Sequence, residues 1–300
     1  MSNRADLCVI FNPAAGRRRL SEHLERFRRV FGRGFEPLPT QHAGHAEELA
    51  VEAAQAGYRV VAAAGGDGTV HEVANGLLRA ARPEVVLHVL PMGSANDYAH
   101  CLRRERANGQ PSDAVRRVDV GLARSPDGRQ RYFVNGLGLG FNGAVTLESR
   151  KIRHVRGLTL YGLALLRALC YQFRCPPLTV AFDDVERQAP TLGLTVNLGT
   201  REGNFVLAPD ARLDDGWFDF VQAGDLQRWE LLRLLPALVA GGMPDHHPKI
   251  WKGRCRQVSI RAAAALTVHL DGEFFCLPKE NVREIEVTLL PAALAVTTTG

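Results

Sequence analysis

The six cysteines of this 300-residue sequence (Cys8, Cys101, Cys170, Cys175, Cys255 and Cys276) contain no CxxC spacing. Several stand inside apolar runs, so they read as reduced, buried thiols in a reducing cytoplasm. Long hydrophobic runs are also missing. The best stretches, LTLYGLALLRALC and LLRLLPALVAGG, are short and broken by Arg167, Arg233 or Pro236, so neither spans a bilayer. They leave peripheral contact with a membrane surface open. The opening MSNRADLCVIF lacks the apolar core of a secretory signal, and a cytoplasmic protein is expected. No sign of charge dominates, since 37 Lys and Arg against 32 Asp and Glu give a formal +5. That excess is too small and diffuse to imply nucleic acid. Local basic groups (Arg17 to Arg19; Arg26, Arg28 and Arg29; Arg103, Arg104 and Arg106; Lys151, Arg153 and Arg156) read as solvated helix faces. No internal repeat or low-complexity segment is present.

With 46% hydrophobic residues the chain can bury a full core, and its length favours two domains. From residue 5 to about 100, strand-length apolar runs (LCVIF, YRVVAAA, LHVLP) alternate with segments of helical period (LSEHLERFRRVF, HAEELAVEAAQAG, VHEVANGLLRA, SANDYAHCL). Parallel strands need crossover helices and bury both faces, so this alternation predicts a doubly wound α/β domain over 1–125. After RRERANGQPSDAVRR the texture changes. RYFVNGLGL, PLTVAF, TLGLTVNL, WFDFVQA, QVSIRA, LTVHL, EFFCL and EIEVTLL follow in short succession, with helical patterns near 156 to 173 and 226 to 240. This predicts a mostly antiparallel β-sandwich over 126–290.

The stretch VVAAAGGDGTVHEVANGL, residues 60 to 77, is the most informative. Its spacing predicts a strand, a Gly65 to Gly68 loop and a helix from Thr69 to Arg79, with Thr69 and Glu72 matching a capping box. Amides at a helix N-terminus favour a phosphate. The loop lacks a following GK[ST], and His71 stands where the third glycine of GxGxxG would be. A capped turn explains the Gly, Thr and Glu but not Asp67. A carboxylate beside a polyphosphate is repelled unless a cation lies between them, which suggests that Asp67 helps hold Mg²⁺ on a nucleotide. NPAAGRRR after LCVIF and MGSANDYA after LHVLP place further small and polar residues at strand ends, where open α/β sheets bind ligands. Thr40, ending FEPLPT, makes a fourth.

NPAAG, the T-x-x-x-GHA of Thr40 to Ala46, GGDGTVHEVANGL, LPMGSANDYA, APDARLDDGWF and LDGEFF, in this order, resemble the diacylglycerol kinase catalytic-domain family. That family includes bacterial diacylglycerol kinases, sphingosine kinases and lipid kinases similar to bacterial phosphatidylglycerol kinase. The resemblance covers essentially the whole chain; GGDGT by itself also fits NAD kinases and phosphofructokinase-like folds. Ser94 stands where the family usually has Thr and keeps the hydroxyl. The resemblance implies that Thr40, the loop Gly65, Gly66, Asp67, Gly68, Thr69, Val70 and His71, and Ser94 contact ATP, with Asn12 and Asn96 shaping the pocket. It implies that Asp67 and Asp97 belong to the acidic network around a catalytic Mg²⁺. It implies that Asp271 takes the proton from a lipid hydroxyl, supported by Glu273. It further implies a structural Mg²⁺ or Ca²⁺ on the Asp215 side chain and the carbonyls of Arg212 and Trp217, and a final strand near Leu294 to Thr298 that completes the first domain (291–300). From residue chemistry alone, Asp271-Gly272 between alternating apolar runs is a hairpin turn and Asp215-Gly216 an ordinary turn. Asp271 can be both turn residue and base. Asp245, His246 and His247 read as an exposed loop rather than a metal site.

The expected function is an ATP-dependent lipid kinase, cytoplasmic and peripheral at the membrane, with its cleft between the two domains. The alternatives are a kinase of a soluble metabolite, similar to NAD kinase, and a non-catalytic nucleotide-binding regulator. The acceptor lipid is left open, and so is the oligomeric state, a homodimer included.

Overall fold

The computed structural model describes residues 6–13, 20–106, 114–152, 155, 157–241, 244 and 246–298. Residues 14–16 of the first glycine loop, Arg17 to Arg19, the middle of the polar linker (107–113), Arg153, Arg156 and Asp245 lie outside the described residues. The chain divides into two compact units, Met1–Asp119 with Pro291–Gly300, and Val120–Leu290.

In the first unit, β1 (Leu7–Phe11), α1 (Leu20–Phe31), β2 (Phe35–Pro39), α2 (His45–Gln55), β3 (Val60–Gly65), α3 (Asp67–Ala80), β4 (Val86–Pro91) and α4 (Asp97–Arg106) alternate strictly. The strands pair in parallel in the order β2-β1-β3-β4. Beyond their first residues, β1 and β3 are wholly buried, because helices cover both faces of the sheet. Their unbroken apolar composition follows from that. Beneath α1, Phe27 meets Phe11 edge-on at 5.2 Å between ring centroids.

Helix α3 begins two residues earlier than its sequence spacing predicts, at Asp67, with Gly66 as N-cap and no side-chain cap. The capping box is therefore corrected. Glu72 instead accepts from the N–H groups of Gly44 (2.9 Å) and Ala46 (3.1 Å), closing the N-terminus of α2 from the neighbouring helix. A tertiary contact won over the local one.

In the second unit the chain runs through β5 (Arg116–Arg124), within which the division falls, then β6 (Gln130–Phe133), β7 (Gly136–Gly140), α5 (Phe141–Lys151), α6 (Gly157–Tyr171), β8 (Pro177–Phe182), β9 (Val185–Pro190) and β10 (Gly193–Asn197). It continues with β11 (Arg201–Glu202), β12 (Phe205–Val206), β13 (Phe218–Ala223), α7 (Arg228–Ala240), β14 (Ile250–Cys255), β15 (Gln257–Ala262), β16 (Val268–Leu270), β17 (Glu273–Cys276) and β18 (Glu284–Thr298). One antiparallel sheet has the order β14-β13-β10-β7-β16-β17. The other pairs β9, β8, β15 and residues 284–288 of β18, also antiparallel. Phe182 of β8 stacks on Phe220 of β13 at 3.7 Å, with Trp251 edge-on to both, so aromatic packing joins the two layers. Residues 295–298 of β18 pair in parallel with β4 and extend the sheet of the first unit.

Two further differences from the sequence reading have local causes. FNGAVTLESRK forms α5, which the glycine-rich strand before it conceals: Gly140, at φ +71, turns the chain abruptly from strand into helix. Of the thiols, Cys8, Cys101, Cys255 and Cys276 are buried, whereas Cys170 is exposed and Cys175 half-buried. The expectation of buried cysteines is corrected for these two: Cys170 is on α6, where an apolar stretch need not bury every residue, and Cys175 lies in the irregular segment between α6 and β8. Burial pushes the Cys276 thiol up to about 11, which keeps it protonated and inert.

Candidate functional site

In the first unit, the residues following β1, β2, β3 and β4 lie at the carboxyl ends of adjacent parallel strands. Asn12 follows β1 and is exposed; Thr40 follows β2, and its N–H donates to Phe11 O at 2.9 Å, tying the two strand ends together. The β3 and β4 loops touch directly. Met92 N donates to Gly65 O at 2.7 Å, and a Cβ added to Gly93 would stand 2.4 Å from Gly66 Cα. Only bare backbone fits there, which leaves both loops without side chains at their closest approach.

Asn96 sits in the left-handed region (φ +52) and clamps Gly93 from both sides, accepting from its N–H at 2.8 Å and donating to its C=O at 2.9 Å. Ser94 is exposed on the same loop. At α3, Val70 N is the first to bond back, to Gly66 O, so the preceding N–H groups from Asp67 to Thr69 point out of the helix end. Side chains of Val70 and His71 are buried within the unit, and the loop residues with some exposure are Gly66, Asp67, Gly68 and Thr69. Asp67 is half-buried and accepts from Tyr98 N at 3.2 Å; Asp97, the first residue of α4, is 5% exposed. The bare glycine backbone, the outward amides and a half-buried carboxylate fit an anionic phosphate with a divalent cation.

In the second unit Asp271 and Gly272 form the turn between β16 and β17, both at positive φ (+52 and +84). The Asp271 carboxylate accepts three backbone N–H groups: Val134 at 3.0 Å on Oδ2, Asn135 at 2.8 Å and Gly136 at 2.9 Å on Oδ1. Its own N–H donates to Gly136 O at 2.8 Å. The turn reading and a fixed, amide-held carboxylate are both present. Glu273 is engaged by Arg150 of α5 at 2.7 Å, and the same guanidinium donates to Gly272 O at 2.8 Å.

Asp215 has partners on both oxygens: Trp217 N at 3.2 Å on Oδ1 and Arg254 Nη2 at 3.0 Å on Oδ2. A cation on Asp215 and the carbonyls of Arg212 and Trp217 would share the carboxylate with that guanidinium. Arg254 also contacts Asp219 at 3.2 Å, whose carboxyl is pushed up by burial despite this partner.

Two further features lie outside the motif residues. Helices α5, α6 and α7 with β10 and β13 surround an apolar pocket that opens in part to solvent. Phe141, Leu165, Leu192, Leu231 and Leu238 line it, with Glu202 among its few polar residues. Helices α5 and α6 are joined by Glu148, which accepts from Lys151 at 2.6 Å and Arg167 at 2.8 Å; these hydrogen bonds hold its carboxyl below the ordinary range. Separately, His42, His45 and Glu48 bring ligand atoms within 4.8 Å of one another. Gln41 N donates to His45 Nδ1 at 3.0 Å, which assigns the neutral ring's proton to Nε2 and leaves it poorly prepared as a ligand. Their spacing of three along the helix start was the available signal. In the loop read as exposed, His246 is exposed, and His247 accepts from Lys249 N at 3.2 Å.

Residues 6–127 match the diacylglycerol kinase catalytic domain, and residues 136–298 match the YegS C-terminal NAD kinase beta sandwich-like domain. The chain is 31% identical over 301 residues to a diacylglycerol kinase of Bacillus subtilis (strain 168), spanning 94% of this chain and 95% of that one. It is 29% identical over 280 residues to a diacylglycerol kinase of Staphylococcus saprophyticus, spanning 89% and 88%. A crystal structure of a diacylglycerol kinase from Bacillus anthracis strain Sterne superposes with a TM-score of 0.67 at 19% identity, covering 99% of this chain and 97% of that one. Fold and comparisons together define a kinase made of an α/β domain and an antiparallel β-sandwich. The chain belongs to the diacylglycerol kinase catalytic-domain family.

Proposed function

We propose that this kinase transfers the γ-phosphoryl group of MgATP to a hydroxyl of a membrane lipid, the first unit binding the nucleotide and the second the lipid. The observation that carries the lipid reading is the apolar pocket walled by α5, α6 and α7. Acyl chains gain by leaving water for such walls, whereas a soluble polar metabolite does not. The same helices support contact with a membrane surface. Leu166 of α6 and Trp229 of α7 are 50% and 55% exposed, while Leu165 and Leu231 on those helices line the pocket. Arg233 lies over the Trp229 ring at 4.7 Å, a pairing suited to an anionic interface.

In this reading the outward amides of α3 and the bare backbone at Gly66 and Gly93 position the phosphates, and Thr40 and Ser94 contribute hydroxyls. Mg²⁺, held by Asp67 and Asp97, supplies charge neutralisation to the phosphates. Asp271, kept in place by three amides, accepts the proton of the lipid hydroxyl at its carboxylate. A second cation, Mg²⁺ or Ca²⁺, on Asp215 with the carbonyls of Arg212 and Trp217 belongs to the same proposal. The test is transfer of label from γ-labelled ATP to diacylglycerol, phosphatidylglycerol, sphingoid bases or ceramide in vesicles or mixed micelles. A labelled lipid product is expected. Labelled NAD or another soluble metabolite, with no lipid product, would replace this reading by the metabolite-kinase alternative.

A further inference from the structure

Asn142 of α5 and Thr195 of β10 line the pocket although its wall is largely apolar. The Asn142 carboxamide has no hydrogen-bond partner among the described residues. Thr195 is 4% exposed, and its Oγ1 accepts from Asn197 Nδ2 at 2.9 Å, which leaves the hydroxyl proton to donate elsewhere. Both side chains lie over one patch of sheet. Thr195 pairs with Gly138 of β7, and Gly193 shares its face of β10. A Cβ on Gly138 would stand 3.2 Å from Asn142 Cβ, and one on Gly193 would stand 3.4 Å from Asn142 Oδ1. Bare backbone at these two positions seats the carboxamide against the sheet, next to the position of Thr195. Polar groups in an apolar wall are ordinarily paired, so two donors lining the pocket call for an acceptor that the ligand brings.

We propose that Asn142 and Thr195 form a subsite for an acyl carbonyl, ester or amide, of the acceptor lipid. A carbonyl oxygen has two lone pairs and no proton, so it can accept from the Asn142 amide and the Thr195 hydroxyl together. The position along β7 suits that group. Gly136, whose N–H donates to Asp271 Oδ1 at 2.9 Å, precedes Gly138 by two residues of the same strand, about 7 Å. Only a few bonds separate the free hydroxyl of a diacylglycerol or a ceramide from its nearest carbonyl, so a hydroxyl at Asp271 brings the carbonyl toward Asn142. An ether-linked chain has no carbonyl to offer, and neither has a long-chain base. Sites that hydrogen-bond a substrate group reject analogues lacking it, because their own polar groups are left unpaired. This inference rests on the lipid-kinase reading.

The test compares a 1,2-diacylglycerol with the 1,2-dialkyl ether of glycerol that has the same chains and the same free hydroxyl and lacks only the carbonyls. Ceramide, with an amide carbonyl, is the third arm. Each is presented in detergent micelles to the full-length protein. Binding is read as thermal stabilisation without nucleotide, and turnover as kcat/KM with ATP. The wild type is expected to favour the diacyl lipid over its ether by about tenfold in both readouts. Asn142→Leu removes the carboxamide at similar volume and should bring the pair within about twofold. Thr195→Val should narrow the preference in the same direction, while Thr195→Ser, which keeps the hydroxyl, retains it; Asn197 Nδ2 keeps Asp219 O as a partner at 3.0 Å in either variant. A purely structural effect of these substitutions lowers binding of both lipids alike and leaves their ratio unchanged. Ceramide binding that falls in Asn142→Leu supports the subsite for amides as well, and ceramide that does not bind confines it to esters. Equal binding of the diacyl and dialkyl lipids by the wild type, or a preference that survives both Asn142→Leu and Thr195→Val, overturns the subsite. If the binding preference is present and depends on Asn142 while no lipid is phosphorylated, the subsite stands and the kinase reading falls.

Discussion

The backbone N–H of Tyr98 donates to Asp67 Oδ1 at 3.2 Å, so the residue that begins α3 also closes the first turn of α4. Asp67 therefore has a structural task besides any cation it holds. Asn keeps an Oδ1 acceptor, which separates the two tasks. Asp67→Asn should melt within about 1 kcal/mol of wild type and lose turnover by roughly a hundredfold or more at limiting Mg²⁺. Thermal denaturation beside a Mg²⁺ titration of kcat checks this; a folded variant with normal activity removes the cation role.

Asp271→Asn is not the neutral turn substitution that sequence alone suggests. Its carboxylate faces three N–H donors, and an amide NH₂ would meet at least one of them. The variant should lose about 1–3 kcal/mol of stability for the unpaired donors and about 10²- to 10⁴-fold in kcat with an identified lipid. Denaturant unfolding and kinetics on the folded protein are measured together. Wild-type kcat would exclude Asp271 as the base, and wild-type stability would exclude the amide contacts.

At Asp215, a cation must share a carboxylate that Arg254 already approaches at 3.0 Å. Asp215→Ala should lower the melting temperature and abolish stabilisation by Mg²⁺ or Ca²⁺ added without nucleotide. Arg254→Gln should enlarge that stabilisation, because the competing charge is gone. Cation-induced shifts that are the same in all three proteins rule the site out.

Glu148 predicts an acid-sensitive junction between α5 and α6. Its pKa is lowered from the ordinary 4.5 by hydrogen bonds from Lys151 and then Arg167. A depressed carboxyl contributes stability above its unfolded value and loses that contribution as pH falls through the folded value. Both partners are about half-exposed, so solvent screening limits the contribution to about 1 kcal/mol. Glu148→Gln should flatten the acid limb of the stability curve below pH 4.5 and leave its shape above that unchanged. An acid limb identical to wild type would contradict the assignment.

The sequence by itself determined the alternating α/β unit, the sandwich texture and the strand-end loops. Strand period, helical period and glycine placement are local properties, and LCVIF, VVAAAG and the GGDG turn carry them within a few residues. It also marked Asp271 as a turn residue, since an Asp-Gly pair between apolar runs needs little else. Tertiary structure alone decided what those residues touch. Glu72 closes α2 instead of its own helix, because Gly44 and Ala46 are brought to it by packing of two helices. The Asp271 carboxylate meets amides more than 130 positions earlier, the Gly66 and Gly93 backbones meet across two loops, and His269 meets Glu202 beside a pocket built by three helices. Each is a contact between segments distant in the chain, and no local periodicity encodes which distant groups a fold will bring together.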